Sequence, residues 1–332
     1  MFAAVSQFDA SPAVSQTASG SEFRPDLQRA EGAVRVGFRA GTGGSRLSDA
    51  YQRGSMKVRF PRQFDTDVPE AVLINTAGGI TGGDRFRVDG NLGTGAAATL
   101  TTQAAEKVYR SSGGDGRVDV SLHLEPSAQL AWLPQETILF DRGRLVRTLD
   151  VEMAADAGLV LCESVILGRA AHGETVRQGL LTDRWRVRRG GRLVYADFLK
   201  LAFPMTAPAG AAVLAGSRAF ASLLVVDPDA EARIEAARSA LDGPATAGAS
   251  AWNGMLVARL AAPGGDALRK DLIALIERLR PAVTAWHRSA WANSGARKRP
   301  HAEQCPGACV DSGLRSGSGT GASAGSNCRR RW

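Results

Sequence analysis

What most constrains this chain is a short apolar/polar alternation that returns repeatedly between clusters of Gly, Asp and Pro. Val34, Val36 and Phe38 alternate with Arg35, Gly37 and Arg39, the period of a half-buried strand. Runs of similar kind cover residues 56–60, 71–74, 86–88, 98–102, 118–124, 146–153, 159–167, 176–181, 185–188 and 193–199. In Val118, Val120, Leu122 and Leu124 the alternation is perfect. Strands that short, with turn residues between them, predict a mainly β body.

Two helices are expected near the C-terminal end of that body. Asp227-Pro228 fits an N-cap followed by proline at the first helical position, Ile234, Ala237 and Leu241 share a face, and Gly243 is a stop. The second helix covers 266–280, with Leu268, Leu272, Leu275, Ile276 and Leu279 as its apolar stripe and Pro281 after it. No β-α-β alternation is present, which disfavours a doubly wound sheet. No repeat of constant period stands out, yet strands of similar spacing also suit a stacked, solenoid-like (β-helical) scaffold.

The flanks differ from the body. Residues 1–30 are small and polar without periodicity and read as a disordered lead-in. They lack a basic stretch followed by a continuous apolar one, so a secretory leader is not expected and the default compartment is cytoplasmic. No apolar run has the length to span a bilayer. The formal charge of +8 suggests nucleic acid at first sight. Between His287 and Trp332, however, stand eight Lys/Arg and two Asp/Glu, so the body itself is nearly balanced. A nucleic-acid groove needs its charge on folded structure, so no nucleic-acid partner is expected. Residues 287–332 are low in complexity and are expected to be disordered. Their abrupt Arg/Gly/Ser/Ala bias is what a change of reading frame near the 3′ end would produce. Cys305 and Cys309 lie there beside His301, short of the four ligands of a structural zinc site. Cys162, the one body cysteine, reads as a reduced core residue.

Four segments of the body carry chemistry-bearing residues. Asn75-Thr-Ala-Gly-Gly-Ile-Thr-Gly-Gly-Asp84 is glycine-rich, but no Gly-Lys-Ser/Thr follows, and the next residues read as a strand. It predicts a crowded connection that presents Asp84. Residues 101–111 place Glu106 beside Lys107, commonly a solvated pair. In residues 132–141, Pro134 separates two apolar runs, and Glu136 and Asp141 flank the second. Glu163 adjoins an apolar strand; if buried it needs a partner, for which Arg169 is a candidate. His123 lies on a polar face and His172 in a turn with Gly173 and Glu174. No Gly-x-Ser-x-Gly elbow and no zinc-type cluster occur in the body. A carboxylate-based hydrolase and a purely structural adaptor both remain open from these residues alone.

The ordered set NTAGGITGGD, TTQAAEKVYRS, LPQETILFDRGR and ESVILGRAAHGE resembles the urease accessory protein UreD (UreH) family. GSRLSDAYQRGSMKVRFPR and DRWRVRRGGRLVYADF fit the same pattern. The similarity covers roughly residues 31–286, so the expected organisation is a lead-in at 1–30, a β domain at 31–286 and a tail at 287–332. The resemblance implies a non-enzymatic chaperone subunit of nickel insertion into urease, with no tightly bound cofactor and only transient Ni²⁺. It implies a UreF-like partner, through it a UreG-like GTPase, then apo-urease, arranged as a dimer of heterocomplexes. It also implies a polar conduit for the ion. By motif position its acidic residues are Asp84, Glu106, Glu163 and, with differing flanks, Asp197; Glu174 in the His-Gly-Glu turn is added from its own setting. Carboxylates bind Ni²⁺ less tightly than thiolates or imidazoles, which suits an ion that must enter and leave.

Overall fold

The structure, a computed structural model, describes residues 28–62, 68–204 and 214–279. The expected lead-in and tail, with Cys305, Cys309 and His301, lie outside these residues apart from the last few positions before Glu31. Among the described residues, seventeen strands follow in chain order: β1 (Glu31–Gly41), β2 (Gly44–Gly54), β3 (Met56–Arg59), β4 (Glu70–Asn75), β5 (Arg85–Leu92), β6 (Ala97–Thr102), β7 (Glu106–Val108), β8 (Gly116–Leu124) and β9 (Gln129–Leu133). Then come β10 (Thr137–Leu139), β11 (Arg144–Met153), β12 (Gly158–Leu167), β13 (Gly179–Arg189), β14 (Arg192–Phe203), β15 (Ala219–Val226), β16 (Thr246–Trp252) and β17 (Met255–Ala262). Helices α1 (Ile234–Ser239) and α2 (Gly265–Leu279) are the two α-helices among the described residues.

The chain winds as a coil between two sheets. From β4 onward, successive long strands alternate between them: β5, β8, β11 and β13 lie in parallel in one, and β4, β6, β9 and β12 in parallel in the other. Short β7 and β10 make a third side, in parallel with each other and with the end of β12. This is the stacked, solenoid-like scaffold expected. The coils are unequal in length, since Arg85 lies beside Arg117, Arg117 beside Val146, and Val146 beside Thr182. That is why no constant period shows in the sequence. Antiparallel strands close the stack: β2 and β14 flank the first sheet, β3 one end of the second, and β15, β17 and β16 extend its other end.

Side chains of one phase meet between the sheets. The row Val88, Val120, Leu149 and Trp185 is apolar throughout and buried. Each fully buried aliphatic side chain contributes about 1.5–3 kcal/mol. Two residues earlier on each strand, the row reads Phe86, Val118, Arg147 and Asp183, with charge where the pattern calls for apolar residues. A second apolar cluster lies on the far face of the second sheet, where Leu268, Leu272 and Leu275 of α2 cover Leu223, Leu256 and Leu260.

Three expectations need correction. The first helix does not start at Asp227: its carboxylate accepts the Asp229 N–H at 2.8 Å and pairs with Arg233 at 3.3 Å, and α1 begins only at Ile234 after a 3₁₀ turn. Asp227 caps a turn because its reach is satisfied two residues on. The runs at 176–181 and 185–188 are not two strands, since β13 spans Gly179–Arg189 unbroken and Val176 precedes it. Strands β2, β7, β9, β10, β15, β16 and β17 lie outside the alternating runs.

Candidate functional site

The glycine-rich connection between β4 and β5 packs against the loop that follows β7. A Cβ on Gly82 would stand 2.4 Å from the Gly113 carbonyl oxygen and 2.0 Å from Ser111 Oγ. On Gly79 (φ +152°) it would meet the Lys107 carbonyl oxygen at 2.6 Å. The crowding expected of this segment is therefore real. Asp84 is buried, and its two oxygens accept the N–H groups of Ala30 and Thr81, both at 2.8 Å. That carboxylate ties the connection to the start of β1 and lines none of the interior cavities described next.

Glu106 begins β7, where it sits opposite Thr137 of β10. The Asn75 amide, at the foot of the glycine-rich connection, donates to both Glu106 oxygens at 3.3 Å. Burial outweighs this bond and pushes the Glu106 carboxyl up to about 7. The solvated Glu106–Lys107 pair considered from sequence is not what forms: Lys107 is exposed, while Glu106 turns inward.

Glu163 is on β12 of one sheet, and Arg147 and Asp183 face each other on β11 and β13 of the other. Arg147 bridges the gap between sheets. Its Nε and Nη2 donate to the two Asp183 oxygens at 3.1 and 2.5 Å, and its Nη1 to Glu163 and, at 3.3 Å, to the Thr137 hydroxyl. One indole anchors each carboxylate: Trp132 Nε1 donates to Glu163 at 2.9 Å and Trp185 Nε1 to Asp183 at 3.1 Å. All three charged side chains are no more than 8% exposed. Burial works against the Arg147 charge, but Asp183 and Glu163 outweigh it and hold the guanidinium protonated. Burial pushes the Glu163 carboxyl well above the usual carboxylate range against the pull of Arg147, with Asp183 adding to the rise. The trio has one negative charge in excess when fully ionised, a cost the interior bears only with this degree of pairing. The partner expected for Glu163 from sequence was Arg169; it is Arg147 instead.

These groups line three neighbouring cavities. An outer one of about 180 Å³ is lined by Asn75, Thr102, Glu106 and Lys107. A middle one of about 70 Å³, between the sheets, shares Thr102 and Glu106 with it and reaches Trp132, Thr137, Arg147 and Glu163. An inner one of about 20 Å³ shares Arg147 and Glu163 and reaches Asp183, Asp197 and Ser222. Since about 10–15 Å³ admits a water, even the smallest is wide enough for one. Asp197 lies at the far side, held by Arg259 at 2.7 Å and by the Tyr195 hydroxyl at 3.4 Å.

Glu106, Glu163 and Asp197 thus each line one or two of these three cavities, and two other positions do not. Glu174 lies in a surface cleft with Tyr109, Phe140 and Arg169. Its oxygens take Arg169 Nε and Nη2 at 3.0 Å, and that bond holds its carboxyl below the ordinary range. A short turn returns the chain so quickly that Glu174 meets the residue five positions back rather than the interior. Asp84 is spent on backbone.

Comparison with known proteins shows the family. The profile of the UreD urease accessory protein family matches residues 30–292. A protein of Azorhizobium caulinodans called urease accessory protein UreD is 46% identical over 260 residues, 78% of this chain and 96% of its own length. One of Xanthobacter autotrophicus with the same name is 48% identical over 273 residues, 82% of this chain and 93% of its own. The chain belongs to the UreD urease accessory protein family.

Within this family member, the inward charged residues Arg147 and Asp183 and the amide of Asn75 are site groups that sequence reading missed. The signal for two of them was available. In Leu145, Arg147, Leu149, Val151 and Met153, as in Leu181, Asp183, Trp185 and Val187, a charge occupies the buried phase of a strand. His123 pairs with Glu125 on the surface and His172 is exposed, so neither joins the cavities. Cys162 is buried, as expected. Among the described residues, no three His, Cys, Asp or Glu side chains are grouped to hold a metal ion together, and no helix is long and apolar enough to cross a membrane.

Proposed function

We propose that this chain acts in urease maturation as a subunit that lets Ni²⁺ pass through its own interior toward apo-urease. The ion is cargo, and the chain need hold no resident cofactor. Passage would run from Glu106 past Glu163 and Asp183 to Asp197, in a complex with a UreF-like protein and, through it, a UreG-like GTPase. The observation that carries this reading is the run of three cavities sharing Glu106 at one junction and Glu163 at the next. Carboxylates spaced along a passage attract a divalent ion without caging it. When fully ionised, the Arg147 trio adds one negative charge to that passage.

A hydrolase built on the Glu163–Asp183 pair fits less well. Both carboxylates share one guanidinium, and the cavities beside them, of about 70 and 20 Å³, are far below the ~300–1,000 Å³ of small-molecule sites. An adaptor without a metal role leaves the inward charges without a use.

The test is Glu106→Gln, expressed with the partner proteins and urease. The expected outcome is that the accessory complex co-purifies at wild-type yield while the nickel content of urease falls. Because Glu106 ionises near pH 7 and the Glu163 carboxyl is raised as well, wild-type transfer should also fall as pH drops from 8 to 6, and the variant should lose the part of that dependence that Glu106 carries. Wild-type nickel content in urease matured with the variant contradicts the proposal.

A further inference from the structure

We infer that Arg147 decides what crosses from the middle cavity to the inner one; this rests on the conduit reading above and goes beyond it. Among the described residues, Arg147 and Glu163 alone are common to the linings of the two cavities. At that junction the guanidinium occupies the space between the sheets and donates hydrogen bonds to both sides: to Glu163 and Thr137 on one, to Asp183 on the other. The resting passage is therefore closed by a cation that belongs to the protein. Deprotonation of the guanidinium cannot open it, because an arginine side chain does not lose its charge in proteins. The guanidinium has to move.

What replaces it must satisfy the two carboxylates it leaves. These stay in place without it, because Trp132 still donates to Glu163 and Trp185 to Asp183. A monovalent ion brings the same single charge as the guanidinium but none of its forked hydrogen bonds, so exchange is unfavourable. A divalent ion brings twice the charge and binds carboxylate oxygens directly. The junction is thus selective for divalent over monovalent cations. When Arg147 returns, it competes for the same oxygens and releases the ion toward Asp197. Arg147 is a positioning and selectivity residue, both the barrier and the release device.

The test uses the full chain in its complex with the partner proteins, with Ni²⁺ as the probe. In Arg147→Gln the carboxylates lose their resident cation. Nickel should then stay on the accessory complex through desalting, where wild type keeps none. Nickel delivered to urease per complex should fall roughly tenfold, the low end of what is lost when a group orienting metal ligands is replaced. Adding Glu163→Gln to that variant should abolish the retained nickel. If Arg147→Gln proves too unstable to purify, Arg147→Lys serves: it keeps the charge but cannot fork between two carboxylates, and delivery should again slow. A merely structural role would lower the yield of complex and leave nickel per complex unchanged. Delivery at the wild-type level with no retained nickel, in whichever variant folds, overturns the gate. If Glu106→Gln still blocks delivery in that assay, the conduit stands without a gate; if neither substitution matters, the conduit falls as well.

Discussion

At the scale of single residues, the chain spends its carboxylates in two ways. Asp84 and Glu174 are consumed by local partners, whereas Glu106 and Glu163 are held inward at an electrostatic cost. For Glu106 that cost has a sign. Its folded pKa, about 7, lies above the ordinary value of 4.5. The folded state therefore binds the proton more tightly, and stability is full below pH 4.5 and is lost as pH rises through 7. The loss is about 2–3 kcal/mol for a group partly reached by solvent. Glu106→Gln should flatten the fall in Tm between pH 5 and pH 8; an undiminished fall would place the cause elsewhere. The glycine-rich connection makes a simpler demand. Gly82→Ala forces a Cβ against the Gly113 carbonyl and should cost about 1–3 kcal/mol in a denaturant titration. No change would mean that the loop after β7 yields.

At the scale of elements, legibility in the sequence followed burial. Strands with one face in the core, such as β8, show the alternation and were readable. Strand β2 is exposed along most of its length, so nothing marks a buried phase. Strands β15 and β17 are covered on both faces, by the opposite sheet and by α2, and read as runs such as Leu223–Val226 that lack alternation. The site was legible only in part. Glu106 and Glu163 were reached through motif position, but Arg147 and Asp183 meet only because of the parallel register of β11 and β13, which no local pattern shows. One link between elements is also testable. Arg269 of α2 donates to the buried Glu136 just before β10, with Nε at 2.7 Å. Arg269→Ala leaves that carboxylate uncompensated and should cost about 3 kcal/mol by thermal or chemical unfolding. A cost below about 1 kcal/mol would show that solvent reaches Glu136 once the arginine is gone.

At the scale of the whole molecule, a coil of two sheets gives what a globular core does not: a gap between parallel layers that runs along the stack. Apolar rows hold most of that gap shut. Where Arg147, Asp183 and Glu163 replace apolar residues, it stays polar and open enough for water. The central claim is that the cargo uses this interior and does not travel along the surface. The most direct test is to fill the middle cavity without touching a charge. Val118 lines it beside Arg147, so Val118→Phe places a ring in a space of about 70 Å³. The measurement is nickel per urease active site, by elemental analysis, in urease matured with this variant and its partner proteins. A complex that assembles normally yet yields nickel-poor urease is the predicted result. A normally assembled complex that yields fully nickel-loaded urease would contradict it.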